Sequence, residues 1–239
     1  MNTDLFPVAI LSGGLATRLR PLTEKIPKAL IEINGTPFIL HQLGLLKQKG
    51  IKRVVICAGY LGEMLEAFLS DGNQLGLDIQ YSYDGATLLG TGGAIKKALP
   101  LLGENFFVLY GDSYLPNNYA VVQSTFIKND KEGLMTVFHN QGQWDKSNVE
   151  FNDGQIIAYN KAEQTSTMKY IDYGLGVFNE RAFAHFPDSI PFDLAHLYQK
   201  LLQLKQLSAH PVEERFYEVG SFAGIEELGY YLARLNMAG

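Results

Sequence analysis

Residues 11–30 read Leu-Ser-Gly-Gly-Leu-Ala-Thr-Arg-Leu-Arg-Pro-Leu-Thr-Glu-Lys-Ile-Pro-Lys-Ala-Leu, and a short apolar run precedes them. A strand that leads into paired glycines lets the backbone come close to a ligand, because glycine has no Cβ. Backbone N–H groups in such a turn can bind phosphate oxygens. Arg18 and Lys28 add a planar guanidinium and a compact ammonium to the same stretch. The stretch therefore predicts a strand, a glycine loop and two cations placed around a polyphosphate.

The glycine loop differs from two common nucleotide-binding signatures. It lacks the Gly-Lys-Ser/Thr of a P-loop, and Gly13-Gly14 does not have the spacing of the G-x-G-x-x-G dinucleotide fingerprint. If only the paired glycines were present, an ordinary glycine-rich turn beside two solvated cations would be a sufficient explanation. The order of strand, glycines, Thr-Arg and Pro-Lys within one short segment favours a phosphate site instead.

The composition is typical of an acidic, compact enzyme domain. The chain has 239 residues, of which 46% are hydrophobic, and this suits one large α/β domain. A net charge of −5 argues against partners such as nucleic acid or an anionic membrane surface. The single cysteine, Cys57, lies in an apolar run and is expected to be buried. Because no signal-peptide pattern and no long apolar run is present, we expect a cytoplasmic protein.

The first half of the chain alternates between short apolar runs and helical patterns. We expect strands at 8–11, 53–58 and 105–110, a helix that carries Ile39, Leu43 and Leu46 and ends at Gly50, and helices at 60–70 and 92–102. This alternation predicts βαβ crossovers and a parallel sheet with helices on both faces. Ligands of such sheets bind beyond the carboxyl ends of the strands.

The second half has shorter strands separated by turns. We expect strands at 134–138, 148–151, 156–160, 171–178 and 206–218, and helices at 193–204 and 222–236. The whole chain is therefore predicted to have an α/β fold, Rossmann-like, with three α/β/α layers and a mixed, mostly parallel central sheet.

The 11–30 stretch resembles the signature of sugar-1-phosphate nucleotidylyltransferases, roughly L-x-G-G-x-G-T-R-L-x-P-L-T-x-x-x-P-K. The matching residues are Leu11, Gly13, Gly14, Thr17, Arg18, Leu19, Pro21, Leu22, Thr23, Pro27 and Lys28. Ala16 stands where the family usually has a third glycine, and its methyl group narrows the loop. The resemblance extends from about residue 6 to 232. It is nearest to compact bacterial enzymes of the heptose- or hexose-1-phosphate guanylyltransferase and N-acetylmuramate-1-phosphate uridylyltransferase types.

The resemblance implies the nucleotide-diphospho-sugar transferase type of fold and a specific reaction. A nucleoside monophosphate passes from a nucleoside triphosphate to a sugar 1-phosphate, giving a nucleotide sugar and pyrophosphate for cell-surface polysaccharide or glycoconjugate synthesis. It implies one domain over 1–239, with a nucleotide-binding half to about residue 130 and a sugar-phosphate-binding half from about 131. Arg18 and Lys28 are the implied catalytic residues: Arg18 holds the leaving β- and γ-phosphates, and Lys28 bridges the α-phosphate and the sugar phosphate.

The implied nucleotide site is built from the glycine loop and a second glycine cluster. Asp84 takes the place of an acidic or amide residue that contacts the base, and Gly90-Thr91-Gly92-Gly93-Ala94 resembles a segment that lies against it. The implied nucleotide-binding residues are Leu11, Gly13, Gly14, Thr17, Asp84, Gly92 and Gly93.

Two carboxylates are candidate ligands for a Mg²⁺ cofactor. Asp112 follows an apolar strand and Gly111, where an aspartate can equally satisfy its own turn. Mg²⁺ takes one or two carboxylates together with phosphate oxygens and water. Leu-x-Gly-Asp resembles the family's metal-binding segment, which favours Asp112. Glu218, in Tyr-Glu-Val-Gly-Ser, stands where many relatives have aspartate, although a surface strand residue would look the same.

The second half carries the implied sugar-phosphate site. Tyr159-Asn160-Lys161-Ala162 resembles the family's Glu-Lys-Pro segment, and Ile171-Asp172-Tyr173-Gly174 resembles the segment that borders the sugar. The implied sugar-phosphate-binding residues are Asn148, Asn160, Lys161, Asp172 and Gly174.

Three other functions remain open from the sequence. The same fold could serve as a non-catalytic nucleotide-sugar sensor, or as a nucleotidyltransferase whose phosphate acceptor is not a sugar. A Rossmann-type dehydrogenase is disfavoured by the missing fingerprint. For the quaternary structure we expect a monomer or a homodimer.

Overall fold

The computed structural model describes residues 4–14, 17–188 and 190–238. The strands are β1 (Val8–Ser12), β2 (Glu32–Ile33), β3 (Thr36–Pro37), β4 (Arg53–Ala58), β5 (Asp78–Tyr83), β6 (Asn105–Tyr110), β7 (Ser113–Tyr114), β8 (Gly133–His139), β9 (Val149–Asn152), β10 (Gln155–Tyr159), β11 (Tyr170–Asn179), β12 (Leu207–Val212) and β13 (Tyr217–Glu218). The helices are α1 (Phe38–Gln48), α2 (Gly62–Leu69), α3 (Gly90–Leu102), α4 (Tyr119–Asn129), α5 (Leu194–Gln203) and α6 (Phe222–Ala238).

One mixed sheet forms the centre of the protein. Its main path is β10-β9-β11-β6-β1-β4-β5, and β8 and β12 extend it from β11. Strands β6, β1, β4 and β5 are mutually parallel, whereas β11 runs antiparallel to β6 and β8. The parallel half therefore comes from the first part of the chain, as its alternating pattern predicted, and the antiparallel pairs come from the second part.

Both faces of the sheet are covered, which gives three layers. Along β1, Val8 and Ile10 pack with Ile39 and Leu43 of α1 in one buried cluster, whereas Ala9 packs with the other buried cluster. That second cluster contains side chains of α3 and α5. Because successive strand residues point to opposite faces, the apolar run of β1 is buried on both sides. The predicted α/β/α arrangement is confirmed.

Strand β5 and helix α4 were not predicted, but the predicted elements have bounds close to the observed ones, with one clear exception. Residues 206–218 form two strands rather than one, since β12 ends at Val212 and β13 covers only Tyr217–Glu218. Glu213 and Glu214 are exposed in the break. β13 leaves the main sheet and pairs antiparallel with β7, placing Glu218 opposite Ser113.

Strand β11 changes partners partway along its length. Its first residues pair with the end of β8, its last residues pair with β6 and the start of β8, and the register with β8 shifts between Asp172 and Gly176. Such a bulge bends a strand and redirects its side chains. Gly174 lies in the shifted stretch with φ +97°, a conformation that favours glycine. The bulge therefore sits where the predicted sugar-binding residues are.

Among the described residues, no helix is long and apolar enough to cross a membrane.

Candidate active site

The carboxyl ends of the four parallel strands meet at one edge of the sheet. Gly13 follows β1, Asp84 follows β5 and Asp112 follows β6, and all three line cavities at this edge. A ligand site was predicted here from topology. Two adjoining cavities at this edge are lined by the described residues.

The first cavity measures about 280 Å³ and lies over β1, β4 and β6. Its walls combine the glycine loop, the start of α3 and the turn after β6. The lining residues are Leu11, Ser12, Gly13, Gly14, Pro27, Lys28, Ala29, Cys57, Asp84, Leu88, Gly90, Thr91, Ala94, Tyr110, Gly111 and Asp112. Most of the predicted nucleotide-binding residues are thus brought together.

The second cavity measures about 720 Å³ and extends over the antiparallel half. Its floor includes the β11 bulge, and its walls are the segment 143–148 and the segment 215–227. Its lining includes Arg18, Tyr110, Asp112, Trp144, Asn148, Lys161, Asp172, Gly174, Arg215, Glu218 and Glu227. Four of the five predicted sugar-phosphate residues line it.

Tyr110 and Asp112 line both cavities, so the cavities meet at the end of β6. At this junction Lys28 Nζ donates to Asp112 Oδ2 at 2.7 Å. Gln42 of α1 is 1% exposed, and its Nε2 donates to the carbonyl oxygens of Tyr110 (3.2 Å) and Ser113 (2.7 Å). These two bonds fix the backbone on both sides of Asp112.

Gly111 allows the turn to lie directly against β1. Its N–H donates to the Leu11 carbonyl at 3.0 Å, and a Cβ at Gly111 would lie only 2.5 Å from that oxygen. A glycine is therefore required before Asp112. The carboxylate is held beside the glycine loop, as the sequence predicted for a residue at the ligand edge.

Glu218, Asp112 and Arg18 converge around Gly220. The point where a Cβ on Gly220 would lie is 2.6 Å from Glu218 Oε2, 3.1 Å from Arg18 Nη2 and 3.4 Å from Asp112 Oδ2. The Glu218 carboxylate also accepts from the Gly220 N–H, and its Oε1 accepts from Ser221 Oγ at 2.5 Å. Since Ser221 Oγ accepts from Gly224 N, Glu218 also braces the first turn of α6.

The carboxylate pair fits a divalent cation of the Mg²⁺ type. Asp112 and Glu218 direct oxygens to the space beside Gly220, where a side chain would not fit. Within the described ranges, no group of three or more His, Cys, Asp or Glu side chains forms a metal cluster. A hard cation that needs only one or two carboxylates, with phosphate and water for the rest, suits this donor set.

Lys161 is held at the second cavity by Tyr110 and Asp172. Its Nζ donates to the Tyr110 hydroxyl at 3.1 Å and lies 3.8 Å from Asp172 Oδ2. Burial lowers the pKa of Lys161, but the Asp172 carboxylate and Tyr110 outweigh it, and the net shift is upward. Burial and Asp172 raise the pKa of Tyr110 to about 12. Lys161 is therefore a fixed cation beside the junction.

Asp172 and Asn148 shape the β11 bulge. The Asp172 side chain is 3% exposed, and it accepts from the Tyr159 hydroxyl (3.3 Å) and from Gly174 N (3.1 Å). Asn148 Oδ1 accepts from Asp172 N at 2.9 Å. These predicted sugar contacts thus also hold the cavity floor.

Asn160 is the predicted sugar residue that does not line the cavity. Its Oδ1 accepts from the N–H groups of Ala162 (2.9 Å) and Glu163 (3.1 Å). Asn160 therefore orders the turn that carries Lys161. A carbonyl oxygen engaged with two backbone donors explains why asparagine is present there.

The second glycine cluster reaches the first cavity through residues other than those predicted. Gly92 and Gly93 direct their N–H groups to the Phe192 carbonyl, at 2.9 and 3.3 Å, and do not appear in the cavity lining. Gly92 packs against the Phe192 ring, where a Cβ would clash. The cavity is lined instead by Gly90, Thr91 and Ala94.

Two predicted loop positions cannot be placed. Ala16 lies outside the described residues. Thr17 begins a short 3-10 turn, but its side chain is also outside what the structure describes.

An aromatic–arginine stack crosses the second cavity, and no sequence pattern predicted it. The Arg215 guanidinium lies 3.5 Å from the centre of the Trp144 ring and 4.8 Å from that of Tyr217. Arg215 also pairs with Glu227, and Tyr217 stacks on Tyr231 at 4.3 Å. The stack joins the two walls of the cavity. Trp144 and Arg215 are far apart along the chain, so no local sequence pattern predicts their contact.

The family of the chain follows from comparison with known proteins. The family model described as nucleotidyl transferase matches residues 8–191. The chain belongs to this nucleotidyl transferase family. The matched region covers the whole of the first cavity lining and the β11 bulge, whereas Glu218 and Arg215 lie beyond it.

Curated members of the nucleotidyl transferase family resemble this chain in part. It is 44% identical over 104 residues to the N-acetylmuramate alpha-1-phosphate uridylyltransferase of Neisseria meningitidis, covering 43% of this chain and 45% of the relative. It is 29% identical over 220 residues to the mannose-1-phosphate guanylyltransferase catalytic subunit beta of Xenopus tropicalis, covering 88% of this chain and 60% of the relative. The chain spans about half the length of the curated relatives it matches.

A solved structure confirms the fold of this member of the nucleotidyl transferase family. The inositol-1-phosphate CTP transferase from T. maritima superposes with a TM-score of 0.79 at 20% identity, covering 96% of this chain and 97% of that chain. The chain therefore has the Rossmann-like nucleotide-diphospho-sugar transferase fold.

Proposed function

We propose that the chain transfers a nucleoside monophosphate from a nucleoside triphosphate to a sugar 1-phosphate, giving a nucleotide sugar and pyrophosphate. The observation that carries the proposal is the junction of two cavities at Asp112 and Lys28. A transfer reaction needs two substrates to meet at one phosphorus atom. The smaller cavity lies against the glycine loop and suits the nucleotide, and the larger one suits the acceptor.

The reaction requires no protein nucleophile. An oxygen of the sugar phosphate attacks the α-phosphorus in line, the bond to the β-phosphate oxygen breaks, and pyrophosphate leaves with those electrons. Catalysis then rests on positioning the reactants and on stabilising spread negative charge. Lys28 lies at the junction and reduces the repulsion between the two reacting anions.

Arg18 and Lys161 supply positive charge on the acceptor side of Asp112. Both line the second cavity, and the contacts of Lys161 with Tyr110 and Asp172 hold its ammonium group there. We assign Lys161 to the sugar phosphate and Arg18 to the leaving phosphates, which it would reach across the junction. An arginine offers a bidentate fork for phosphate oxygens, whereas lysine acts as a point charge.

Asp112 and Glu218 would hold the Mg²⁺ cofactor in this proposal. A bound divalent cation would supply charge neutralisation at the α-phosphate. The protein contributes the two carboxylates and their supports: Gln42 beneath the Asp112 turn, and the Gly220 and Ser221 donors around Glu218.

A matrix of substrates tests the function directly. Purified protein is incubated with each nucleoside triphosphate, Mg²⁺ and a set of sugar 1-phosphates, and pyrophosphate release is measured. We expect release that depends on both substrates and on the divalent cation. Nucleotide binding without release for every acceptor would favour the sensor alternative. Release with inositol 1-phosphate but with no sugar 1-phosphate would favour the alternative of a non-sugar acceptor.

The proposed function also has a cellular compartment and an oligomeric state. Nucleoside triphosphates and sugar phosphates are cytoplasmic metabolites, so we place the reaction in the cytoplasm, with a monomer or a homodimer as the acting species. Size-exclusion chromatography with light scattering distinguishes the two assemblies.

A further inference from the structure

The base of the nucleotide is left open by family membership. The relatives described above are named for uridylyl, guanylyl and CTP transfer. The base must therefore be inferred from the cavity of this chain itself.

The two ends of the first cavity differ in charge and in wall chemistry. Lys28 lies at the β6 end beside Asp112, so the phosphates belong there. On the β4–β5 side the lining includes Cys57 and Asp84, and Leu88 and Ala94 add apolar side chains to the wall. Burial, followed by the nearby Asp84 charge, raises the pKa of Cys57 to about 12, so this thiol stays neutral. A mostly apolar chamber with one carboxylate suits a flat heterocycle rather than a phosphate.

The span between the two ends suits a nucleotide. Asp84 follows β5 and Asp112 follows β6, and the order β6-β1-β4-β5 separates them by three strand spacings. At about 4.8 Å per spacing, the strand ends are roughly 14 Å apart. The Asp84 side chain extends from the end of β5 toward the end of β1, since Oδ2 lies 3.6 Å from the point where a Cβ on Gly13 would be. A nucleotide with its α-phosphate at Lys28 thus extends its base toward Asp84.

An ionised carboxylate only accepts hydrogen bonds, and this restricts the base. Uracil and thymine present one N–H between two carbonyl oxygens, which a carboxylate repels. Cytosine and adenine present an amino group beside a ring nitrogen that is itself an acceptor. Guanine alone presents two adjacent donors, N1–H and the 2-amino group, to both oxygens of one carboxylate.

Contacts with neighbouring residues orient the Asp84 side chain. The pKa of Asp84 is raised, because the effect of burial exceeds the opposing effects of the Leu89 N–H, which donates to Oδ2 at 3.3 Å, and of the Lys97 charge. Lys97 Nζ also donates to the Asp84 carbonyl at 3.1 Å. The side chain is thereby fixed at the cavity wall with capacity left on both oxygens.

We propose that this chain takes GTP as its nucleotide, and that Asp84 selects guanine by accepting hydrogen bonds from N1–H and the 2-amino group. The inference rests on the proposed function, because it uses the assignment of the first cavity to a nucleoside triphosphate. It adds the identity of the base and the two hydrogen bonds by which Asp84 would select it.

Binding of nucleotides tests the inference without any acceptor. Isothermal titration calorimetry is run with GTP, dGTP, UTP, dTTP, CTP and ATP in the presence of Mg²⁺. A bidentate base contact discriminates against a wrong base by roughly 5- to 150-fold, so GTP and dGTP should bind tighter than the others by that factor. Asp84→Asn should reduce the ratio of GTP to UTP affinity at least about tenfold, and Asp84→Glu should retain the preference for GTP. Asp78→Asn, an exposed aspartate on the strand that precedes Asp84, is the control.

Each contrary result has a distinct meaning. Tighter binding of UTP, dTTP, CTP or ATP would overturn the guanine assignment and leave the proposed function intact. Equal binding of all ribonucleotides with loss of dGTP binding would show that the site depends on the ribose 2′-hydroxyl and not on the base, which also overturns it. Failure of every nucleotide to bind would refute the proposed function together with this inference. Retention of the GTP preference in a folded Asp84→Asn protein would remove Asp84 as the residue that reads the base.

Discussion

Lys28 Nζ and Asp112 Oδ2 form a 2.7 Å ion pair where the two cavities meet. Both side chains are partly exposed, at 20% and 29%. The pair matters less for folding than for function, because exposed ion pairs contribute little to stability. In the proposed function Lys28 and the divalent cation share Asp112 as their partner. Binding of a phosphate at Lys28 would therefore free Asp112 for the cation, coupling the two ligands.

Replacing Asp112 should abolish most of the activity with little effect on folding. Asp112→Asn keeps the size of the side chain and removes its charge, so we expect pyrophosphate release to fall by at least about 10²-fold. The melting temperature should stay close to that of the wild type. Asp4→Asn is the matched control, since Asp4 also forms a 2.7 Å ion pair, with Lys52. The Asp4 side chain is far more exposed, at 74%. Near-normal turnover of Asp112→Asn would remove it from the metal site.

Replacing Lys28 should have opposite effects on metal binding and turnover. Lys28→Met removes a cation that competes for Asp112 Oδ2, so Mn²⁺ binding to the nucleotide-free protein, followed by electron paramagnetic resonance, should become tighter. Turnover should fall, because two anions then meet without a bridging charge. Lys25→Met, an exposed position in the same segment, controls for net charge. Weaker Mn²⁺ binding in Lys28→Met would contradict the competition.

The proposed roles of Glu218 can be separated by two variants. Glu218→Gln keeps the length that reaches Gly220 and Ser221 but loses the charge, so it should need more Mg²⁺ for half-maximal rate and should melt normally. Glu218→Asp keeps the charge but is too short to brace α6, so it should melt earlier and need less additional Mg²⁺. The two roles predict that Glu218→Gln is the worse variant in the Mg²⁺ requirement and Glu218→Asp the worse one in melting temperature. If one variant is the worse in both measurements, Glu218 has only one of these roles.

Much of the fold was predictable because burial leaves a strong signal in the sequence. The apolar runs of β1, β4 and β6 are buried on both faces and were found almost to the residue. The strand predicted over 206–218 was wrong, since local pattern does not show that β13 leaves the sheet to pair with β7. Helix α4 was missed, although Asn118 provides an N-cap whose side chain accepts from Ala120 and Val121 N–H groups.

The site was predictable where its residues belong to short local motifs. Lys28 and Asp112 are 84 positions apart, yet each was recognisable from its own neighbours, and the structure brings them together. Gln42 and Tyr110 were not identified, because their roles arise only when α1 packs under the end of β6. The same holds for Trp144 and Arg215, which meet across the second cavity.

The single tryptophan gives a direct probe of the second cavity. Trp144 is 40% exposed and stacks on Arg215, so its fluorescence reports on the contact between the cavity walls. Arg215→Lys removes the planar surface that stacks on the ring, and the emission maximum should shift to the red. In activity assays of Arg215→Lys, the KM for the sugar 1-phosphate should rise several-fold, while the KM for the nucleotide should stay unchanged.

A matched variant controls for the charge environment of that stack. Glu227→Gln removes the ion pair of Arg215 but keeps the stacking partners, so its emission should remain close to that of the wild type. An unchanged emission maximum in Arg215→Lys would show that the stack does not persist in solution. A parallel rise of both KM values would show a general structural effect rather than an acceptor-specific one.

Burial of Cys57 should make the protein less stable at alkaline pH. Burial, followed by the Asp84 charge, raises the pKa of this thiol from 9.0 to about 12. Above about pH 9 the unfolded chain loses the proton and the folded chain keeps it, so the free energy of unfolding falls as pH rises, by up to about 1.4 kcal/mol per pH unit. This contribution is fully present below pH 8.5 and is lost progressively toward pH 12. Cys57→Ala should remove it.

The comparison of wild type and Cys57→Ala isolates the thiol from other groups. Urea unfolding of both proteins at pH 7.5, 9, 10 and 10.5 gives two stability profiles, and the tyrosines with raised pKa values contribute equally to each. The stability advantage of the wild type over Cys57→Ala should be constant up to about pH 8.5 and should then shrink at each step. Parallel profiles would contradict the shift, as would rapid reaction of the folded wild type with a thiol reagent at pH 8, because a buried, protonated thiol reacts slowly.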